Sequence, residues 1–320
     1  MRVNLVAVQA KMALADYRDA GAFRSKISAL MSRAMTGVDA DLPTLVAFPE
    51  AIGMYLAFVP YYWESVAAAR TMSEAVENVM AAPCARPDER PAGTPAYLKK
   101  WVLFIEHAVE TERVYVETFS TLAREYGAYI SAGSVYLPPL EDSPHRGGRF
   151  VQDATKVYNT SYLFSPRGVC LSRSHKVNIP DGEDELTDGA PIAQPGSAET
   201  AIGRIGTLIC WDGFHHTLFE QCDALGVQIL VQPQYYNGAG PLDKLDPWSF
   251  IALLQGRENI RYGVSSFLVG SVFEDTRAEG LSYVAANTGR AGAGRDEAII
   301  AIAAHADAEC VVSATVDLRR

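Results

Sequence analysis

The sequence predicts a mixed α/β fold, because apolar strand patterns alternate with helical patterns along the whole 320-residue chain. The opening segment VNLVAVQA is rich in β-forming residues. In the segment that follows, apolar side chains recur at helical spacing from Phe23 to Ala34. TLVAFPE then has the character of a second buried strand, which ends at Pro49. These three elements form a β-α-β unit, and its crossover implies a parallel or mixed sheet.

The next elements continue the alternation. The segment VYVETFSTLAREYG predicts a helix with Gly127 as its stop signal, and one face of it carries Tyr115, Phe119, Leu122 and Tyr126. AYISAGSVYL follows as a strand, and VYNTSYLFSPRGVCLSRSHK as two strands around a Ser-Pro-Arg-Gly turn. The order then runs IGTLICW (strand), TLFEQCDALG (helix), VQILVQP (strand), SFIALLQGRENIRYG (helix) and VSSFLVGSVF (strand). AIIAIAAHAD and CVVSATVDL are the last strands.

We expect one domain over residues 1–320, because no low-complexity linker divides the chain. Residues 61–100, which include APCARPDERPAGTPAY, are too long and too rich in proline and charge for a simple connection, so we interpret them as an insertion. This insertion is expected either to border a pocket or to form a surface or dimer contact. The aromatic residues available to line a pocket are Tyr61, Tyr62, Trp63 and Tyr97.

Composition excludes several classes of function. A formal net charge of −10 disfavours nucleic acids and anionic membranes as partners. No apolar run is long enough to span a bilayer, and the N-terminus lacks a signal-peptide pattern. The five cysteines form no CxxC pair, which argues against a zinc site and suits a reducing compartment. The expected location is therefore cytoplasmic.

Three predicted strands end on reactive side chains, namely Glu50, Lys176 and Cys210. Each residue also has an explanation without catalysis: Glu50 as an acid at a helix N-terminus, Lys176 as a solvated charge and Cys210 as a core thiol. Together they are more informative, because a thiol needs help to become a thiolate at neutral pH. A glutamate can accept the thiol proton, and a lysine can stabilise the thiolate and then an oxyanion. The set predicts a cysteine nucleophile.

At these positions the chain resembles the nitrilase, or carbon–nitrogen hydrolase, superfamily. LVAFPE is similar to the first family motif, YNTSYLFSPRGVCLSRSHKVNIP to the second, and GRIGTLICWDGFHHTLFEQCDALGVQILVQP to the third. GRENIRYGVSSFLVG and GLSYVAANTG resemble later family segments. The resemblance implies a four-layer α-β-β-α sandwich, usually assembled as a homodimer or larger oligomer through helices. It also implies that Glu50 is the base, Lys176 the oxyanion stabiliser and Cys210 the nucleophile.

The implied reaction hydrolyses a small-molecule amide or N-carbamoyl compound through a Cys thioester, without cofactor or metal. A nitrilase acting on nitriles is the alternative within the family, and a catalytically silent binding protein is the alternative outside it. A metal-dependent hydrolase is disfavoured because the spacing of the histidines matches no ligand motif; these are His145, His175, His215 and His216.

Further site residues follow from the resemblance and from position. The family usually has a second glutamate after the lysine, and within KVNIPDGEDELTDGA we favour Glu185 over Glu183. Substrate contacts are expected from the residues that follow two of the strands, with Asp212 alternatively capping a turn. These candidates are Trp211, Asp212, Tyr235, Tyr236 and Asn237.

Overall fold

The computed structural model of the chain describes residues 1–83, 92–139, 155–191, 195–236 and 250–318. Cys84, His145 and Asn237 lie outside the described residues. The strands are β1 (Arg2–Lys11), β2 (Thr44–Ala47), β3 (Tyr129–Ser131), β4 (Val135–Leu137), β5 (Tyr158–Phe164), β6 (Cys170–His175), β7 (Ser197–Ala198), β8 (Ile205–Thr207), β9 (Ile229–Tyr235), β10 (Tyr262–Ser271), β11 (Arg277–Ala278), β12 (Tyr283–Ala286), β13 (Ile299–Ile302) and β14 (Cys310–Asp317). The helices are α1 (Ala20–Thr36), α2 (Trp63–Val66), α3 (Met72–Ala81), α4 (Pro95–Lys100), α5 (Ala108–Tyr126), α6 (His216–Ala224), α7 (Phe250–Leu254) and α8 (Arg295–Ala298).

The strands form two stacked sheets that join at one end. In the first sheet the order is β14-β1-β2-β3-β5-β6. The short strand β4 also pairs with β5, on the same side as β3. In the second sheet the order is β7-β8-β9-β10-β12-β13. The last residues of β1 pair with β10, at Ala10 with Leu268, and so connect the two sheets.

Alternation along the strands divides the core into three apolar layers. On β1, Leu5 faces the second sheet and packs in the same cluster as Val231 of β9. The next residue, Val6, points to the opposite face and packs with helices α1 and α5. Leu230 of β9 likewise faces outward, toward α6 and α7. These layers are the predicted α-β-β-α sandwich, which is confirmed.

The described part of the expected insertion, residues 61–83 and 92–100, forms short helices against the outer helical layer of the first sheet. Helix α4 begins at a capping threonine, Thr94, whose hydroxyl accepts a hydrogen bond from the Tyr97 amide. The helix continues as a π-helical turn over Trp101–Ile105, and the side chains of this turn are largely buried. The ring of Tyr61 stacks on His107 with 3.8 Å between centroids.

Several predicted elements were wrong in extent, two of them for reasons that the structure makes clear. The segment AYISAGSVYL is divided into β3 and β4 by Gly133, whose φ is +75°. A Cβ at this glycine would lie 2.1 Å from the carbonyl oxygen of Pro49, so the turn needs glycine. The helix predicted over SFIALLQGRENIRYG ends at Leu254, because the Asp223 carboxylate accepts backbone hydrogen bonds from the following loop, including that of Asn259 at 2.7 Å. Among the described residues, no helix combines the length and apolar character needed to cross a membrane.

Candidate active site

Chain segments just beyond strands β2, β6 and β8 bring three side chains to one buried point. Glu50 lies three residues beyond β2, Lys176 directly follows β6, and Cys210 lies three residues beyond β8. Glu50 and Lys176 are each 1% exposed, and the lysine Nζ lies 2.8 Å from Glu50 Oε1. The structure therefore brings together the three residues that the sequence pattern singled out.

The Glu50 carboxylate is held by two further donors. The side-chain amide of Asn159 donates to Oε1 at 2.8 Å, and the backbone N–H of Tyr235 donates to Oε2 at 2.8 Å. Sequence reasoning quoted the YNTS segment without assigning Asn159 a place in the site. Asn159 could have been recognised as a polar residue within a strand that is expected to be buried. Such a residue needs a polar partner, which here is a carboxylate of the site.

The second acid is Glu183, which corrects the preference for Glu185. Glu183 Oε2 lies 2.5 Å from Lys176 Nζ, and Glu183 Oε1 accepts from Asn159 at 3.2 Å. The side chain of Glu185 is 72% exposed and pairs with Lys99 on the surface. The reason is a tight turn after Pro180, in which the Glu183 carbonyl accepts backbone hydrogen bonds from residues 186 and 187. This turn directs Glu183 inward and Glu185 outward.

Cys210 occupies a strained turn rather than the end of a strand. Its φ is +45°, and with Ala51, which directly follows Glu50, it is one of two non-glycine residues with positive φ among the described residues. The thiol lies 3.9 Å from the Tyr235 carbonyl oxygen and within hydrogen-bonding reach of Glu50. The Cys210 carbonyl accepts from Gln232 Nε2 at 3.0 Å, which holds the turn in place. Strain of this kind is commonly found at functional sites.

The charges in the cluster oppose one another. Burial raises the pKa of the Cys210 thiol, and the negative charge of Glu50 raises it further, while Lys176 acts in the opposite direction. Burial also raises the pKa of Glu50, and Lys176 again opposes this shift. Burial by itself would lower the pKa of Lys176, but Glu50, Cys210 and Glu183 together raise it above the usual value. The site thus holds a protonated thiol beside a carboxylate of enhanced basicity and a charged ammonium.

The residues expected to contact substrate are in different environments. Asp212 is 2% exposed, and its carboxylate accepts backbone hydrogen bonds from Val177 at 3.0 Å and Asn178 at 2.8 Å. The Asp212 carboxylate thus fixes the loop after Lys176, which favours a capping role for it over a substrate contact. Trp211 and Tyr236 have 45% and 53% of their surface exposed.

Tyr235 enters the site through its backbone, which contacts both Glu50 and Cys210. Its side chain packs at the edge of the large apolar cluster around the first sheet. Among the described residues, no group of three or more His, Cys, Asp or Glu side chains has a metal-binding arrangement. The ring of His175 is hydrogen-bonded to Thr160 at 2.9 Å.

Comparison with known proteins identifies the family. A family model described as carbon-nitrogen hydrolase matches residues 5–318. A deaminated glutathione amidase from Synechocystis sp. is 24% identical over 189 residues, which are 56% of this chain and 64% of that protein. An omega-amidase from Xenopus tropicalis is 27% identical over 191 residues, which are 57% of this chain and 60% of that protein. The matched region thus spans less than two thirds of the length of these curated relatives.

Solved structures agree at the level of the fold. The crystal structure of an amidase from Nesterenkonia sp. superposes with a TM-score of 0.60 at 15% identity, covering 100% of this chain and 92% of that chain. At this identity the likeness shows the fold alone. Because the family model spans almost the whole sequence, the chain belongs to the carbon–nitrogen hydrolase family.

Proposed function

We propose that this protein is an amidase that hydrolyses the carbon–nitrogen bond of a small amide or N-carbamoyl compound through a thioester on Cys210. The observation that carries the proposal is the buried ion pair of Glu50 and Lys176, with the Cys210 thiol beside Glu50. A carboxylate, an ammonium and a thiol gathered in this way supply a base, an electrostatic stabiliser and a nucleophile. The names of the curated relatives, which are amidases, support the same class of substrate.

Acylation would begin with transfer of the Cys210 proton to Glu50. The burial that raises the pKa of Glu50 makes it a stronger base for this purpose. The thiolate then attacks the carbonyl carbon, and the developing oxyanion is stabilised by Lys176 and by the backbone N–H that follows Cys210. Glu50 returns the proton to the leaving nitrogen, the carbon–nitrogen bond breaks, and ammonia or an amine departs. A thioester to Cys210 is left.

Deacylation would use the same residues in a second cycle. Water that occupies the place of the departed amine gives a proton to Glu50 and attacks the thioester carbon. The tetrahedral intermediate collapses, and the carboxylic acid product leaves as Cys210 regains its proton. Glu183 keeps Lys176 charged throughout, because its carboxylate contacts the ammonium directly. These steps need only groups that the chain itself provides.

Ammonia release from a panel of matched amides, N-carbamoyl compounds and nitriles tests the proposal. The wild-type protein should release ammonia from the amide or carbamoyl arm, and Cys210→Ala should abolish this activity. The exposed Cys170 provides the control, because Cys170→Ser leaves the site untouched. Mass spectrometry of the reacting enzyme should detect an acyl group on Cys210. Full activity in Cys210→Ala would overturn the mechanism, and activity on nitriles alone would replace the proposed substrate class.

Two further properties expected from the sequence stay predictions. One is association into a homodimer or larger homo-oligomer, which analytical ultracentrifugation would measure. The other is a cytoplasmic location, which fractionation of cells that express the protein would measure.

A further inference from the structure

Tyr136 stands beside the candidate catalytic groups, although the sequence analysis did not assign it. It is the middle residue of β4 and is 2% exposed. In the antiparallel pairing of β4 with β5 it lies directly opposite Asn159. Side chains directly opposite each other in such a pair project from the same face of the sheet, with Cβ atoms about 5 Å apart. The Asn159 side chain contacts both Glu50 and Glu183, so Tyr136 faces the same cluster.

The position of the Tyr136 ring is set by packing from the segment that follows the insertion. The ring of Phe104 lies 5.4 Å from it, centroid to centroid, and belongs to the buried π-helical turn after α4. The turn at Gly133 separates β4 from β3 and gives β4 its own register on β5. Tyr136 therefore has a fixed location in the wall of the site.

The phenolic oxygen of Tyr136 is surrounded by reactive groups but makes no hydrogen bond with any residue that the structure describes. Burial raises its pKa, and the charges of Glu183, Glu50 and Cys210 add to the effect, which places the hydroxyl within electrostatic range of all three. The hydroxyl of Tyr162, on the neighbouring strand, by contrast donates to Glu112 at 3.0 Å. A hydroxyl that faces the site and has no partner among the described residues is available to bind a ligand.

We propose that Tyr136 contacts the substrate, and that its hydroxyl forms a hydrogen bond with the scissile amide group held against Cys210. This inference rests on the proposed amidase function and adds a residue to it. An amide presents both a carbonyl oxygen and N–H groups, and a phenol can donate to the first or accept from the second. In both cases the contact is a hydrogen bond between two neutral groups, the phenol and the reacting amide.

Tyr136→Phe tests the proposal, because it removes only the oxygen atom. We expect kcat/KM for amide hydrolysis to fall about tenfold, equivalent to about 1.4 kcal/mol of transition-state stabilisation. The melting temperature should not fall, since no buried partner loses a hydrogen bond. Tyr162→Phe is the matched control: it is a buried tyrosine on the neighbouring strand, its hydroxyl contacts Glu112, and its activity should stay within twofold of wild type.

Two further measurements separate a substrate contact from an indirect effect. The rate at which methyl methanethiosulfonate modifies Cys210 should be equal in wild type and Tyr136→Phe, since this reagent carries no amide. Comparing an amide with the ester of the same acid then assigns the contact. A loss confined to the amide indicates the nitrogen, and an equal loss indicates the carbonyl oxygen.

The proposal is overturned if Tyr136→Phe keeps at least half of the wild-type kcat/KM. It is also overturned if the loss is matched by slower modification of Cys210, because the residue would then position the nucleophile instead of touching substrate. Failure of the amidase proposal itself gives a different result, namely a wild-type protein that releases no ammonia.

Discussion

Replacing Glu183 with glutamine would show how far Lys176 depends on its second carboxylate. The two groups are 2.5 Å apart, the lysine side chain is 1% exposed and that of Glu183 is 15% exposed, so solvent screens the contact weakly. A hydrogen bond between charged groups contributes about 1.5–3 kcal/mol, which corresponds to a rate change of about 10- to 150-fold if the interaction is needed in the transition state. Lys176 keeps its contact with Glu50 in this variant. We therefore expect Glu183→Gln to lower kcat/KM by an amount near the lower limit of that range, about tenfold to thirtyfold.

The same substitution should move the pH profile. The negative charge of Glu183 raises the pKa of Glu50, so removing it lowers that pKa. Glu50 must be ionised to accept the thiol proton, and the acid limb of kcat/KM should therefore shift to lower pH in Glu183→Gln. The matched control is Glu185→Gln, two residues away and paired only with Lys99 at the surface, where ion pairs contribute little. Steady-state kinetics of both variants between about pH 4 and pH 9 will show which of the two acids changes the titration of Glu50. If Glu185→Gln loses activity and Glu183→Gln keeps it, the assignment from geometry is wrong.

Three further results are expected. The acid limb of the wild-type kcat/KM profile should lie above the usual glutamate pKa of about 4.3, because burial raises the pKa of Glu50; a limb at or below that value would contradict the electrostatic account. Asp212→Asn should destabilise the protein by about 1–3 kcal/mol and also reduce activity, because it weakens charge-assisted hydrogen bonds to the backbone beside Lys176; an unchanged melting temperature would show that these bonds are dispensable. Lys100→Met should lower kcat/KM about fivefold by releasing the loop that carries Glu183, since Lys100 contacts that loop at Asp188 and at the Thr187 carbonyl oxygen; activity equal to wild type would exclude this coupling.

The arrangement of layers could be predicted from the sequence because it depends on patterns within short segments. Apolar runs such as TLVAFPE and VQILVQP identify buried strands without knowledge of their neighbours. The alternation of strands and helices then implies a parallel or mixed sheet. The break between β3 and β4 was missed because it depends on a close approach of Gly133 to Pro49, residues that are distant in the sequence.

The three reactive residues of the site could be predicted from the sequence, but the residues around them could not. Glu50 and Cys210 could be identified as reactive residues after apolar runs, and Lys176 as a reactive residue after the second strand of a predicted hairpin. The choice between Glu183 and Glu185 was not predictable, since three acidic residues in a row satisfy the same pattern and only the turn after Pro180 separates them. Tyr136 was equally hidden, because a tyrosine in a buried strand is ordinary and its significance lies in the partner strand opposite it.

The pairing of β1 with β14 has a consequence for synthesis of the protein. The first strand lies between β2 and β14 and pairs with the latter over most of its length, from Arg2 opposite Asp317 to Gln9 opposite Cys310. A chain emerging from the ribosome therefore holds one edge of β1 unpaired until β14 has been made. Contacts of such long sequence separation form slowly, and an unpaired strand edge invites aggregation in the meantime. Expression yield of this protein should accordingly depend on chaperone supply and on growth temperature more than that of a protein whose sheet closes early.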